Sequence, residues 1–442
     1  MRRLLPFLPA SAVALAILCA IVGEGPRADG PPPGQKGPAE FDINAGKRAL
    51  YKIAVPRPIG DPASANTFAE VVSGDLYSSG WFKVIDPRSF LANLAAEGVG
   101  ISLPDWRNIG AEGVAKAQSA VYNGELSLDC KLYEVGKGPY AVVEKTYKGP
   151  ASQVRAFAHA WAAEVVKWFA KEDSFFTSQI AFSSSPRAGI KDVYVMDYDG
   201  FGLHKVTDNG SQNILPAWNP NGSSLVFTSF LRGNPDLYTV GTGGGRPKRI
   251  ANYPGVNMGA TFSPDGGRIA ATLSQDGNPE IYLLDTAGKI VKRLTDSPFI
   301  DSSPAWSPDG GQLAFVSNRF GSPQVWLMSS SGADQHRLTT RGNYNQEPTW
   351  CPKCDTPTIA YTARDEKANF DIFTIDVKNP QTGVVRITEN QGQNEHATWA
   401  PTGRAMAFAS SRGGVWVSTA DGKLQRQVSR EMASTPVWGP RR

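Results

Sequence analysis

The feature that most restricts the fold is a repeat of about 44 residues in the C-terminal part of the chain. Its copies share an aromatic residue just before a turn, at Trp218, Phe262, Trp306, Trp350, Trp399 and Trp438, with spacings of 44, 44, 44, 49 and 39 residues. In the first five copies three short segments follow that turn, as in "LAFVS", "QVWLM" and "HRL" of the third. Four predicted strands in each such unit are typical of β-propeller blades.

The two ends of the repeat region complement each other. Residues 179–184, 192–197 and 204–208 supply three strands without an opening aromatic strand, whereas Trp438 opens a strand that nothing follows. The C-terminal strand therefore completes the first blade, and the sequence predicts a closed ring of six blades. An open array of hairpins is the alternative, but it would leave strand edges exposed.

The segment before the repeats has the pattern of a small α/β domain. Two predicted strands, "YKIAV" (51–55) and "WFKVI" (81–85), flank a helix that begins after Asp61 and stops at Gly80. This order is that of a β-α-β unit. The fold class predicted for the whole chain is an N-terminal α/β domain followed by a six-bladed β-propeller closed by the C-terminal strand. The expected limits are 41–173 for the first domain and 174–442 for the propeller.

The second half of the α/β domain contains a hairpin and a helix. Asn123-Gly124 predicts the hairpin turn, and Cys130 follows on the apolar side of an alternating strand. We therefore expect Cys130 to be a core residue rather than a reactive thiol. A helix is predicted from about Ser152 to Ala170, with its apolar residues along one stripe.

The first 28 residues are predicted to be an export signal. Arg2 and Arg3 precede the apolar run "LLPFLPASAVALAILCAIV", in which two prolines leave a stretch too short to span a membrane easily. A membrane anchor is the alternative. Residues 29–40 read as a Pro/Gly linker. Export would place the chain where disulfides persist, and a formal net charge of only +4 argues against nucleic acid as a partner.

"TWCPKC" (349–354) raises the question of a metal or redox site. Cys351 and Cys354 occupy the turn where sister repeats carry "SPDG", at the tip of the hairpin between the first two strands of the fifth blade. Zinc would need further ligands, which the spacing of the four histidines does not supply. A catalytic redox pair usually lies at the start of a helix. We expect a local disulfide, or two thiols, in a tight turn.

An enzyme is the competing class of protein. The chain has no "GxSxG" elbow and no phosphate-cradling loop before a helix, and the repeated turn acids Asp265 and Asp309 are explained by type I turns. We therefore expect no catalytic residue, no cofactor and no metal. A propeller that binds a small ligand or carbohydrate stays open, as does a peptidase-associated propeller without its catalytic domain.

The repeat "PAWSPDGGQLAFVSNRFGSPQVWLMSSSGADQHRLT" (304–339), preceded by "YKIAVPRP" and "VRAFAHAWAAEVVKWF", resembles the periplasmic TolB family of the Tol–Pal envelope system. The resemblance covers nearly all of the chain after the predicted signal. It implies a non-enzymatic periplasmic binding protein, monomeric by itself. Such a protein links the peptidoglycan-associated outer-membrane lipoprotein Pal to the inner-membrane Tol complex, and it supports outer-membrane integrity and cell division.

The family also has a pair of residues like Arg155 and His159, although Ala163 replaces the acid expected beside them. We expect His159 to be a helix-face residue with a local hydrogen bond rather than a catalytic group.

The resemblance further implies two partner-binding segments. The extreme N-terminus of the family recognises TolA, and the matching stretch here is "FDINAG" (41–46), with Phe41, Asp42, Ile43 and Asn44 as the expected contacts. Its alternating pattern suits strand-like pairing with the edge of a partner. A frayed terminus is the alternative.

The second partner-binding region consists of the links that connect one blade to the next, just before each opening aromatic residue. These links are rich in Asn, Gln, Ser and Glu, and we expect them to line the channel mouth. The same links contain Met258, Ile300 and Tyr344, which we expect to be apolar anchors for a partner. By resemblance the lipoprotein docks at this mouth. Val256, Gly259 and Ser302 align with family contacts, although Val256 replaces an expected histidine. The alternative is that the polar residues only cap turns. The complete expected set is Val256, Asn257, Met258, Gly259, Ile300, Asp301, Ser302, Tyr344, Asn345, Gln346, Glu347, Asn394 and His396.

Overall fold

The computed structural model describes residues 50–187, 189–364 and 369–441. The predicted signal (1–28), the linker (29–40) and the segment 41–46 lie outside the described residues. The described chain divides into two compact units between Asp173 and Ser174, and each is described by itself. None of the described helices is both long enough and apolar enough to cross a membrane.

The first unit is a mixed sheet with helices, and its sheet order is β3-β1-β4-β5-β6, with β2 beside β4. Its elements are β1 (Tyr51–Ala54), β2 (Ile59–Gly60), α1 (Pro62–Ser78), β3 (Phe82–Val84), α2 (Leu94–Glu97), α3 (Leu103–Asn108), β4 (Gly113–Tyr122), β5 (Glu125–Glu134), β6 (Val143–Pro150) and α4 (Val154–Ala170). The predicted β-α-β unit is confirmed, since β1 and β3 pair in parallel on either side of α1 in the chain. Asp61 caps α1 by accepting a hydrogen bond from the Ser64 amide at 2.8 Å.

The two long helices of this unit, α1 and α4, pack against each other, and each has buried residues, such as Phe68 on α1 and Trp161 on α4. Cys130 is buried, as predicted. The expectation of a local hydrogen bond for His159 is wrong, because its Nδ1 atom lies 2.8 Å from Oδ2 of the buried Asp75 on the other helix. That contact is long-range, so the helix pattern alone could not reveal it.

The second unit contains six four-stranded sheets, here called blades 1 to 6. Blade 1 has β30 (Ala433–Arg441), β7 (Ser178–Arg187), β8 (Ile190–Asp197) and β9 (His204–Lys205); blade 2 has β10 (Asn213–Trp218), β11 (Ser224–Ser229), β12 (Asp236–Gly241) and β13 (Lys248–Ala251); blade 3 has β14 (Asn257–Phe262), β15 (Arg268–Leu273), β16 (Glu280–Asp285) and β17 (Ile290–Arg293); blade 4 has β18 (Asp301–Trp306), β19 (Gln312–Ser317), β20 (Gln324–Ser329) and β21 (His336–Arg337); blade 5 has β22 (Tyr344–Trp350), β23 (Thr358–Arg364), β24 (Phe370–Asp376) and β25 (Val384–Arg386); blade 6 has β26 (Asn394–Trp399), β27 (Ala405–Ser410), β28 (Val415–Thr419) and β29 (Gln425–Gln427).

The ring is closed by the C-terminal strand, which confirms the predicted fold class. β30 pairs antiparallel with β7, and Trp438 stands opposite Ile180. Three of the repeated aromatic residues, Trp218, Trp350 and Trp399, help to join the blades, because their indole N–H groups donate to carbonyls on the first strand of the preceding blade. Trp218 donates to the Val437 carbonyl at 3.0 Å, and Trp350 donates to the Ala305 carbonyl at 3.2 Å. A buried N–H that finds its partner on another blade fixes the order of packing.

Cys351 and Cys354 form a disulfide at the tip of the β22–β23 hairpin in blade 5. Cys351 is buried, and its sulfur lies against Gly403 in the corresponding turn of blade 6. No group of three or more His, Cys, Asp or Glu side chains suited to a metal occurs within the described residues. Of the two structures expected for this turn, the disulfide is the one formed.

Candidate functional site

The inner wall of the ring is built from the first strand of each blade, since each of these strands contacts the next around the circle. All six strands contain a β-bulge at the same position, three residues before the opening aromatic residue. The residue there has a left-handed backbone, with φ between 51° and 58°, at Leu215, Gly259, Ser303, Glu347, His396 and Thr435. Only one of the six is glycine, so this conformation belongs to the blade and not to a local glycine.

The bulge turns a backbone N–H toward the neighbouring blade. The Gly259 amide donates to Thr228 Oγ1 at 3.3 Å, and the His396 amide donates to Thr362 Oγ1 at 3.1 Å. Both threonines occupy the second strand of the preceding blade. The bulge therefore joins adjacent blades at the channel wall, and it positions the side chain that the same residue carries.

Glu347, Glu395 and His396 form an ionisable cluster between blades 5 and 6. His396 Nε2 lies 3.1 Å from Glu347 Oε1, and only 10% and 9% of these two side chains are exposed. The other carboxylate oxygen of Glu347 accepts hydrogen bonds from Thr362 Oγ1 at 2.7 Å and from the His396 amide at 3.0 Å. Gln346 Nε2 also donates to Glu347 Oε1 at 3.3 Å, so four donors or possible donors hold Glu347 in one orientation.

Burial changes the proton affinity of both carboxyl groups. The pKa of Glu347 is raised well above its ordinary value by desolvation and by repulsion from Glu395. Desolvation raises the pKa of Glu395 to about 7. The pair therefore retains protons at a pH where exposed glutamates are ionised.

Four of the predicted site residues are buried polar groups at the first or second position of a first strand, and they hold that strand in place. Their side chains make internal hydrogen bonds: Asn257 to the Tyr253 carbonyl (2.8 Å), Asp301 from Arg319 (2.6 Å), Asn345 to Gln324 (2.8 Å) and Asn394 to Asp371 (3.3 Å). The sequence analysis considered the alternative that such polar residues only cap turns. The internal hydrogen bonds of these four residues agree with that alternative.

The three expected apolar anchors differ in exposure. Met258 is fully buried and presents no surface to a partner, because its side chain belongs to the core. Ile300 is 37% exposed. Tyr344 is half-buried, with its ring 5.6 Å from that of Phe370. Val256 is buried as well.

The remaining expected contacts lie at or beside the bulge. Gly259, Glu347 and His396 occupy the bulge position itself, whereas Ser302 and Gln346 precede it by one residue and are largely buried. Phe41, Asp42, Ile43 and Asn44 fall outside the described residues. The described mouth residues thus fall into two main groups, those near the start of a first strand and those at or beside its bulge.

Sequence reasoning missed Glu395 and the threonines on the second strands. Glu395 stands one residue before the bulge, which is the position of Gln346 in blade 5 and Ser302 in blade 4. The repeat alignment could therefore have identified it. The sequence could not identify Thr362, because its role depends on the packing between two blades.

The fold defines a class: a closed six-bladed propeller that follows an α/β domain in the chain, with mostly buried polar side chains at or beside the bulges of its first strands. Two family models match in the same order, the TolB amino-terminal domain over residues 39–140 and the TolB beta propeller domain over residues 167–442. The chain belongs to the TolB family, which is non-enzymatic.

Curated relatives carry the name Tol-Pal system protein TolB. That of Anaeromyxobacter dehalogenans (strain 2CP-C) is 38% identical over 179 residues, covering 40% of this chain and 41% of the relative. That of Desulfosudis oleivorans is 34% identical over 212 residues, covering 45% of this chain and 48% of the relative. The matched region therefore spans less than half the length of these relatives.

The crystal structure of TolB from Acinetobacter baumannii has the same fold. It superposes with a TM-score of 0.77 at 24% identity, and the match covers 89% of this chain and 97% of that one.

Proposed function

We propose that this chain is a periplasmic, non-enzymatic binding protein of the Tol–Pal system. In this role it would link the peptidoglycan-associated lipoprotein Pal to the inner-membrane Tol complex through TolA, and so maintain outer-membrane integrity and support cell division. The observation that carries the proposal is the match of both family models in the family's order, together with the names of the curated relatives. The predicted export signal is consistent with the periplasm.

The channel mouth is the proposed lipoprotein site. We assign Gly259, Ser302, Glu347 and His396 to its inner wall, where the Gly259 amide donates to Thr228 and the His396 amide to Glu347 of the preceding blades. A polar surface with the exposed Ile300 beside it suits a folded protein better than a small apolar ligand, which would prefer a dry pocket. The N-terminal segment 41–46 is the proposed TolA-binding segment.

Deletion of the gene tests the cellular role. Cells without the protein are expected to become sensitive to detergent and to constrict poorly at division, and the intact chain supplied in trans should restore both properties. Co-purification from wild-type envelopes should yield a lipoprotein rather than a sugar fragment. A deletion strain with normal detergent resistance would contradict the proposal.

A further inference from the structure

A cleft of about 620 Å³ opens in the propeller between blades 1 and 2, outside the inner ring of strands. Residues 205–209, at the end of blade 1, form one wall. Tyr238, Arg249 and the turns around 231–232 and 243–247 of blade 2 form the other. None of the expected mouth residues lines it, so the cleft is separate from the proposed lipoprotein site.

The next junction around the ring shows how such a space can be filled. Tyr253 spans the junction between blades 2 and 3: its hydroxyl donates to the Gly288 carbonyl and accepts from the Ile290 amide, both at 3.1 Å. Asn209 is its counterpart in blade 1, since each stands four residues before the asparagine that begins the next first strand. The Asn209 side chain instead turns back to Asn213 and accepts its amide N–H at 2.8 Å. The small residue leaves the space open.

The turn between the third and fourth strands of blade 2 also stands away from its neighbour. A Cβ atom placed on Gly244 would lie 3.5 Å from the Val206 carbonyl oxygen. The corresponding distances at other junctions are shorter, 2.1 Å at Gly200, 2.0 Å at Gly288, 2.6 Å at Gly332 and 2.2 Å at Gly422. The junction between blades 1 and 2 is therefore wider at this level than those four junctions.

The lining of the cleft has more positive than negative charge. Lys205 is paired with Asp192 at 2.9 Å and with Asp208 at 2.6 Å, and Arg249 is paired with Asp236 at 3.2 Å. Two other cations of the lining, Arg232 and Arg246, are exposed, and neither makes a hydrogen bond or ion pair with another described residue. Two guanidinium groups thus remain available to an anion.

We propose that this cleft binds a ligand that carries a phosphate group, held by Arg232 and Arg246. The planar guanidinium fork matches phosphate oxygens. Two guanidinium groups balance the two negative charges of a phosphate monoester, whereas a carboxylate carries only one negative charge. The triglycine turn 243–245 lets backbone approach the ligand closely. A soluble phosphorylated sugar and the phosphomonoester headgroup of phosphatidic acid share this chemistry.

Calorimetric titration of the chain lacking residues 1–28 tests the proposal. Glucose 6-phosphate should bind at one saturable site, glucose should not bind, and glucuronate should bind at least about tenfold more weakly. The double variant Arg232→Ala/Arg246→Ala should weaken binding of glucose 6-phosphate by at least about tenfold, whereas the matched variant Arg268→Ala, an exposed arginine elsewhere on the ring, should leave it unchanged.

Asn209→Tyr provides a test that leaves every charge in place. A tyrosine at this position should fill the cleft as Tyr253 fills the next junction, and so abolish binding without lowering the melting temperature. The double arginine variant retains its value if Asn209→Tyr fails to fold, because both arginines are exposed. Absence of saturable binding up to about 10 mM would overturn the proposal. So would unchanged binding in the double variant, or glucuronate binding as tight as that of glucose 6-phosphate.

Vesicle sedimentation distinguishes the two sources of phosphate. Binding to vesicles that contain phosphatidic acid but not to phosphatidylcholine vesicles, lost in the double variant, would identify a lipid headgroup as the ligand class. Binding to glucose 6-phosphate alone would identify a soluble ligand. Lipoprotein binding at the mouth should be unaffected by all these variants, so the outcome is independent of the proposed function.

Discussion

His396 Nε2 lies 3.1 Å from Glu347 Oε1 and joins blade 6 to blade 5 at the inner wall of the propeller. Both residues occupy the bulge position of their first strands, so the pair is a product of the repeat geometry. Glu395, one residue before His396, repels Glu347 and is itself mostly buried. A cluster with two carboxyl groups and one histidine should respond to pH.

The first prediction concerns the stability of this cluster. The pKa of Glu395 is raised from 4.5 to about 7 in the folded chain. Between these pH values the folded state binds more protons than the unfolded state, so the contribution of Glu395 to the free energy of unfolding falls as the pH rises and stays low above pH 7. The neutral amide of Glu395→Gln does not ionise, so the variant should not lose this part of the free energy of unfolding. It should be more stable than the wild type by on the order of 2 kcal/mol above neutral pH.

Urea unfolding at about pH 5 and pH 8 measures the effect. The gain of Glu395→Gln over the wild type should be larger at the higher pH. Glu431→Gln, which changes an exposed carboxylate on another link, should show no such difference. An equal gain at both pH values would contradict the assignment.

Gly259→Arg should block binding of the lipoprotein through steric and charge conflict at the mouth. The fold should tolerate it, because five non-glycine residues adopt the same backbone at the equivalent positions, and a Cβ on Gly259 meets only Thr272 Oγ1 at 3.8 Å. Gly259→Ala is the matched control and should retain binding. Pulldown and thermal unfolding measure the two properties. If binding survives Gly259→Arg and Ser302→Arg together, the site lies elsewhere.

Deletion of residues 29–46 should abolish TolA pulldown and leave the melting temperature nearly unchanged. The reason is that the deleted segment carries the proposed contacts, Phe41 to Asn44, whereas the described core of the first unit begins only at Ile53. Deletion of the linker residues 29–40 alone keeps these contacts and serves as the control. Full TolA binding by the longer deletion would reject the assignment.

The disulfide between Cys351 and Cys354 should have a structural role only. It closes a very short loop, so Cys354→Ala should lower the free energy of unfolding by about 2 kcal/mol or less and leave lipoprotein binding intact. The unfolded, unreduced chain without residues 1–28 should titrate one thiol, that of Cys130, and reduction should expose the other two. Loss of binding on reduction would indicate a functional role for the turn.

The repeat pattern was sufficient to predict the blades and their closure. The alternation along each strand and the turn after each opening aromatic residue are local properties, and the strand of Trp438 pairs with β7 in the blade that lacked a first strand. The cap at Asp61 and the buried strand position of Cys130 were likewise local signals.

The tertiary structure decided which polar residues are available to bind a partner or a ligand. Asn257 and Gly259 are two residues apart in one link, yet the first is buried in hydrogen bonds and the second stands at the bulge. The sequence analysis predicted both residues as partner contacts at the mouth. It could not separate them, because the direction of a side chain depends on a neighbouring blade that the local sequence does not contain. The same reason accounts for the partner of His159 on another helix and for the open cleft beside Asn209. The sequence by itself determined the units and their order, whereas the packing between those units decided which groups are buried, paired or open to a ligand.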